Sequence, residues 1–329
     1  MQQWPDSSVI LRSRAYAHHA DEDYPSALAF YDRAVQADPL NAKALLARSM
    51  TRRRMNDAEG ARRDEDRAID LAGHHPEVYL SAAEGHGSID SERRHEILRR
   101  GVEAHPHHME LRYALAWSYR DGGLERAARQ TALAAIDVMS DAPLDLAWRA
   151  TFLEEHLDDT DAAIDAGQRA VEGRPWDPEV VTDQAFRLSD AGRHDEAIAL
   201  LEGVIETTSE AVRPHVALGL VQREQGRWVE AERAFTRAIE IHRGYRPYPE
   251  RVADLHFWRA TARLENGAYA GALEDVEAAI DLGGESAEYY RVRAEAHEGL
   301  GHAGEARADR ERAAQLSPLE RDGLGVWHS

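Results

Sequence analysis

The 17 histidines are the residues most obviously able to do chemistry, and many of them cluster. His18 and His19, His74 and His75, and His105, His107 and His108 within "HPHH" offer imidazole nitrogens for a metal or for proton transfer. Their spacing argues against a shared ion. Adjacent helical residues point about 100° apart, whereas metal-binding pairs use spacings that share a face, such as i, i+4. The chain has no cysteine, which removes thiol nucleophiles, disulfides and Cys-ligated zinc together. No G-x-S-x-G elbow, phosphate-binding loop, H-E-x-x-H or dinucleotide fingerprint occurs. "GHGS" and "RDGG" contain glycines but follow helical patterns rather than strands. The expectation is a protein with no catalytic residue, no metal site and no cofactor.

A second concentration of reactive side chains is basic: Arg48, Arg52, Arg53, Arg54, Arg62, Arg63 and Arg67. Single-stranded nucleic acid would call for aromatics interleaved with these charges to stack on bases, and the stretch has none. Asp57, Glu59, Asp64, Glu65 and Asp66 are interleaved instead and supply neighbours for intrahelical pairs. A solvated helix surface is therefore expected, with an acidic peptide partner as the lesser reading. The formal net charge of −20 opposes both nucleic-acid phosphates and anionic membrane surfaces. No run approaches the roughly 20 apolar residues of a membrane span, and "MQQWPDSSVILRSR" has neither the basic start nor the apolar centre of a secretory signal. A cytoplasmic location is expected. Lys43 is the single lysine among many arginines, which fits a GC-rich bacterial genome.

Such side chains need elements to hold them, and the composition names the element type. With 43% hydrophobic residues, 12 Pro and 23 Gly in 329 residues, the chain is neither disordered nor collagen-like. Ala, Glu, Arg and Leu dominate and β-branched runs are absent, so an all-α fold is expected. Self-similarity then organises the chain. "DEDYPSALAFYDRAVQADP", "AGRHDEAIALLEGVIE", "QGRWVEAERAFTRAIEI" and "NGAYAGALEDVEAAIDLG" share a turn, a spacer, an alanine and a small residue seven positions on. The alanine pairs are Ala27 and Ala34, Ala61 and Ala68, Ala163 and Ala170, Ala231 and Ala238, Ala272 and Ala279, and Ala306 and Ala313. Small residues seven apart share one helical face and admit another helix closely.

Twelve residues before the first alanine of a unit stands another small residue: Ala15, Ser49, Thr151, Ala185, Gly219, Ala260 or Ala294. Asn56, Gly192, Gly226, Gly267 and Gly301 fall between the two helical patterns, where a left-handed turn residue belongs. Each unit is a helical hairpin. The combination of a small residue, a turn Gly, an aromatic and paired alanines resembles the tetratricopeptide repeat (TPR). It is strongest at Gly226, Trp228, Ala231, Phe235 and Ala238, and at Gly267, Tyr269, Ala272 and Ala279. The resemblance implies an α-solenoid, a right-handed superhelix of about nine helix-turn-helix repeats, covering residues 1–329 as a single domain.

Second-helix anchors at Ala27, Ala61, Arg94, Ala128, Ala163, Ala197, Ala231, Ala272 and Ala306 give spacings of 34, 33, 34, 35, 34, 34, 41 and 34. The third and fourth repeats, about 77–143, are irregular: Arg94 and Gly101 occupy alanine sites, and "EGHGSIDSERRH" interrupts the hairpin. The long interval contains "HRGYRPYPE", residues 242–250, whose Tyr245 and Tyr248 are either interface residues or part of a stiffened connection. A short tail occupies 319–329.

In the family, first helices line a concave groove that holds a peptide. The resemblance therefore points to the residue after each first-helix small residue: Tyr16, Met50, Trp117, Phe152, Phe186 and Leu220 are large and apolar there, with Tyr113 and Phe257 one turn earlier. They line a groove or pack between helices as core. Arg12 and Arg53 fall on the same face and would orient a bound segment. The expected function is a non-catalytic scaffold or adaptor for a protein or peptide. The alternatives are a peptide sensor whose superhelix changes shape on binding and, further off, a metal protein or enzyme using its histidines.

Overall fold

The computed structural model describes residues 7–86, 91–242 and 249–323. Every regular element among them is an α-helix, and the helices come in nine consecutive pairs. These are α1 (Ser8–Ala20) with α2 (Tyr24–Ala37), α3 (Ala42–Arg54) with α4 (Ala58–Ala72), and α5 (Pro76–Glu84) with α6 (Ser91–Ala104). Next come α7 (Met109–Asp121) with α8 (Glu125–Ile136), α9 (Pro143–Leu157) with α10 (Thr160–Gly173), and α11 (Pro178–Asp190) with α12 (His194–Thr207). The last are α13 (Val212–Glu224) with α14 (Trp228–His242), α15 (Pro249–Glu265) with α16 (Tyr269–Gly283), and α17 (Ala287–Gly299) with α18 (Ala303–Gly323). The fold is all-α and of the solenoid class, as the repeat pattern predicts.

The chain divides into two compact units. One holds the described residues up to Ser140 together with Thr151–Asp159; the other holds Asp141–Ala150 together with those from Thr160 onward. The division therefore passes through α9.

Local chemistry explains why the chain breaks into hairpins of this length. Asn41 and Asp57 cap α3 and α4 by accepting the amides of Ala44 and Gly60 at 3.0 and 2.8 Å. At the other end, α3 stops because Asn56 turns left-handed at φ 62° and the Asp57 amide reaches back to the Arg52 carbonyl at 2.8 Å. That closure is the Schellman motif. Gly123, Gly192, Gly226, Gly267 and Gly301 do the same with φ between 66° and 79°, where a Cβ would be penalised. Glu22 and Asp158 hold this conformation without that freedom, at 59° and 55°.

The small residues let paired helices touch. Ala15, Ala27 and Ala34 are fully buried, and a Cβ on Gly219 would stand 2.5 Å from the Phe235 ring. Hairpin three makes the opposite exchange: a Cβ on Gly101 would stand 2.9 Å from that of Tyr79, so a buried tyrosine takes the space an alanine fills elsewhere. In the first unit Leu11, Leu45, Ile97, Leu98 and Leu111 are buried in one core cluster. In the second, Leu188 and Leu201 are buried in one cluster and Ile239 in another. Each such side chain contributes about 1.5–3 kcal/mol by leaving water.

The basic stretch of hairpin two corrects the sequence reading. Arg54, Arg62, Arg63 and Arg67 are exposed as expected, and Arg63 pairs with Glu59 at i, i+4 and 2.5 Å, but Arg48, Arg52 and Arg53 are not solvated surface. Arg48 instead reaches across the hairpin to clamp the buried Asp64 with two bonds of 2.8 and 2.6 Å, and Arg52 adds a third at 2.8 Å. Arg53 donates to the buried Glu65 at 2.6 Å and also to His86. Hairpin eight repeats the device: Arg259 holds Asp275 at 2.8 and 2.5 Å, and Arg263 joins at 2.9 Å. In hairpin nine Arg293 holds Asp309 at 2.9 and 2.6 Å. The arginine precedes the first-helix small residue and the aspartate follows the anchor alanine by three, so the two helix faces that touch carry the pair.

Candidate functional site

The predicted aromatics of α7 and α9 converge, and they do so within the first unit. On α7, Tyr113 and Trp117 lie one turn apart. On the second half of α9, Phe152, Glu155 and His156 have i, i+3, i+4 spacing and so share a face. The Tyr113 hydroxyl donates to Glu155 Oε2 at 2.8 Å, and Trp117 Nε1 donates to the same oxygen at 2.7 Å. Tyr113 meets Phe152 edge to face, with centroids 5.9 Å apart and planes at 82°.

His156 closes this cluster. Its ring lies 6.0, 5.8 and 5.9 Å from those of Tyr113, Trp117 and Phe152. It is only 7% exposed, and neither ring nitrogen has a hydrogen-bond partner. Burial pushes its pKa down to about 4, and the positive charge of Arg120 pushes the same way, so the imidazole is neutral near pH 7. Burial, and then the bond to Glu155, hold the Tyr113 hydroxyl well above its ordinary pKa. It therefore remains a donor.

Both side-chain donors to the Glu155 carboxylate are thus neutral, and no ion pair reaches it among the described residues. The nearby cation, Arg120, does something else. Its Cζ sits 5.0 Å from the Trp117 ring centroid, and its Nη1 donates to the backbone carbonyl of Glu155. The cluster therefore offers aromatic faces and a fixed carboxylate acceptor, which suit recognition.

The remaining predicted residues are scattered in character. Tyr16 is 69% exposed on α1 and Met50 41% exposed on α3. Phe186, Leu220 and Phe257 are half-buried. Phe186 packs on the Leu188–Leu201 core, Leu220 on that of Phe235, and Phe257 against Tyr289 with centroids 5.0 Å apart. Phe152, expected on the same surface, is fully buried, because the rings of Tyr113 and His156 cover it. Arg12 is half-buried, and Arg53 is consumed by Glu65. Tyr245 and Tyr248 lie outside the described residues. Among those described, no three His, Asp or Glu side chains are grouped to hold a metal ion, and no helix is long and apolar enough to cross a membrane.

Sequence reading missed Glu155, His156 and Arg120. The signal was present for two of them: Glu155 and His156 follow Phe152 by three and four residues, the spacing that extends its face. It also missed an apolar depression of about 420 Å³ in the second unit, lined by Val171, Val181, Leu200, Val204 and Trp176. Trp176 at its rim is 59% exposed.

Comparison with known proteins supports the repeat reading. Residues 2–42 and 182–247 match the tetratricopeptide repeat family, and no curated protein matches the chain. Among solved structures, the chain is similar to PilW, a widely conserved type IV pilus biogenesis factor, with 17% identity over 65% of this chain and 94% of that one, at a TM-score of 0.52. PilF of Pseudomonas aeruginosa shares 16% identity over 66% of this chain and 93% of that one, at 0.50. A chain of the Cut9–Hcn1 hetero-tetramer of APC/C shares 12% over 90% of this chain and 57% of that one, at 0.50. At such identities the likeness is one of fold. The sequence match, the left-handed turns and the buried alanine pairs together identify tetratricopeptide repeats at residues 2–42 and 182–247.

Proposed function

We propose that this protein is a non-catalytic scaffold that binds a peptide or protein segment on the first helices of its hairpins. The observation that carries the reading is the α7–α9 cluster, where a half-buried tryptophan and tyrosine are fixed to one carboxylate that lacks an ion pair. Large aromatics held in place by hydrogen bonds and partly exposed are what interface hot spots consist of. Tyr16 and Met50 extend the supply of exposed apolar groups on first helices, and Phe186 and Leu220 offer half-buried ones. Within either unit, a bound segment would lie across such helices as an extended strand or an amphipathic helix. The net charge of −20 disfavours nucleic acid as the partner.

Peptides selected on the full chain from a random library provide the test, since selection requires no named partner. Trp117→Ala should weaken peptides selected on the first unit, and Phe186→Ala those selected on the second, at least tenfold, while circular dichroism shows retained helicity. Unchanged affinity in both variants would reject the first-helix surface as the binding face.

A further inference from the structure

We propose that the Trp117 face and the Glu155 carboxylate form a subsite for an arginine side chain of a basic partner segment, and that Arg120 occupies this subsite in the free chain. The inference rests on the scaffold reading above and names the chemistry of its partner.

Three observations carry it. First, the Glu155 carboxylate has no cation of its own. Oε2 accepts from Tyr113 and Trp117, and Oε1 has no hydrogen-bond partner among the described residues. The imidazole beside it contributes no positive charge, because His156 is buried and neutral. Elsewhere in the molecule Asp64, Asp275 and Asp309 are each closed by arginine. Glu155 is held just as firmly by side chains, yet its charge is left uncompensated.

Second, the site already takes a guanidinium. Arg120 covers the Trp117 ring at 5.0 Å, a cation–π contact. It is an exposed residue on the last turn of α7, and its one hydrogen bond here goes to the Glu155 backbone carbonyl rather than to the carboxylate. A guanidinium arriving from outside can stack on the same ring and also donate to Oε1, which Arg120 does not do. Arginine suits both tasks, since its planar fork stacks on aromatics and pairs with carboxylates.

Third, the net charge of −20 draws basic segments toward the chain. Aromatic faces around an uncompensated carboxylate then give such a segment one defined place to put a side chain. An acidic side chain is disfavoured at the same spot by repulsion from Glu155.

The experiment is calorimetric titration of the full chain with a capped nine-residue peptide alternating Arg and Leu. The reference peptide carries uncharged citrulline in place of each arginine. The arginine peptide should bind at least tenfold more tightly. Glu155→Gln keeps an acceptor for Tyr113 and Trp117 but removes the charge, and it should abolish that preference. Arg120→Ala should tighten the arginine peptide several-fold, because it removes the internal competitor; a residue that merely supported the site would weaken binding on removal. Should Glu155→Gln prove unstable, Arg120→Ala at an exposed position carries the test.

Equal affinity for the two peptides, a preference that survives Glu155→Gln, weaker binding in Arg120→Ala, or no binding of either peptide would each overturn the subsite. If the citrulline peptide binds as well and still requires Trp117, the cation subsite falls and the scaffold reading stands. Loss of the scaffold reading needs a different result, namely library peptides that ignore Trp117 and Phe186.

Discussion

Hairpin eight and the α7–α9 cluster use the same kinds of side chain to opposite ends. In hairpin eight, Asp275 is buried and receives Arg259, Arg263 and His256, the last at 2.9 Å. The buried Asp275 is answered by these three side chains, and Arg263 also pairs with Glu232 of α14 at 2.8 Å, so this cluster leaves no buried charge open. In the cluster, the Glu155 carboxylate meets only neutral side-chain donors, its neighbour Arg120 stacks on a ring, and the His156 ring has no hydrogen bond. On the proposed reading, the contrast separates charge that fixes the fold from charge left open to a partner, although the residue types alone do not distinguish them.

The sharpest way to break that contrast is to remove the closed carboxylate. Asp275→Ala leaves the buried Arg259 without a carboxylate, while Arg263 keeps Glu232, and should cost about 3–5 kcal/mol, the usual penalty for orphaning one side of a buried pair. Denaturant unfolding measures it. Asp64→Ala should cost less, because Arg48 keeps Asp32 and Arg52 keeps Asp32 and Asp57, and so should Asp309→Ala, whose carboxylate is held by one bidentate arginine. A loss below about 1 kcal/mol at Asp275 would place the clamp with surface pairs.

The next effect in size is the pH dependence of the cluster. The folded pKa of His156 is lowered to about 4 from 6.5, so the unfolded chain takes up the proton first. Stability from this residue is therefore intact above about pH 6.5, declines as pH falls, and is fully lost near pH 4; the shift corresponds to about 3 kcal/mol. The charged and titratable groups facing it, Tyr113, Glu155, Arg120 and Asp158, stay in place in His156→Phe. That variant should lose this part of the acid sensitivity, seen as a flatter unfolding free energy between pH 7 and pH 4.5. Parallel curves for the two proteins would mean that His156 is solvated in solution.

The smallest effect sharpens the other side of the contrast. Glu155→Gln should change unfolding free energy by less than about 1 kcal/mol, since both neutral donors keep an oxygen acceptor. A loss as large as that of Asp275→Ala would make Glu155 a structural carboxylate like the others.

The fold was legible because its determinants are local and periodic. Ala27, Ala61, Ala231 and their equivalents recur at helix-contact spacing, and Gly192, Gly226 and Gly267 recur where only a left-handed residue closes the hairpin. The anchors even located the start of hairpin three, although Gly101 there yields its space to Tyr79. The clamps escaped for a physical reason. Arg48 and Asp64 lie 16 residues apart on different helices, while Arg63 and Glu59 lie four apart on one. A reading that counts nearest neighbours along a helix finds the second pair and misses the first.

The site was legible by halves. Tyr113 and Trp117 follow from the first-helix register, and the structure brings both to Glu155. Phe152 follows from the same register yet is fully buried, because burial depends on how the rings of α7 close over α9 rather than on position within α9. His156 stands in the polar text "EEHLDD", so composition hid a side chain that packing makes apolar in its surroundings.

The central claim is that partners bind across α7 and the second half of α9. Hydrogen–deuterium exchange of the full chain, with and without a library-selected peptide, tests it most directly. The account predicts slowed exchange in Met109–Asp121 and at residues 151–157, with Glu125–Ile136 on the partner helix of the hairpin little changed. Protection confined to second helices, with α7 and α9 unaffected, would contradict it.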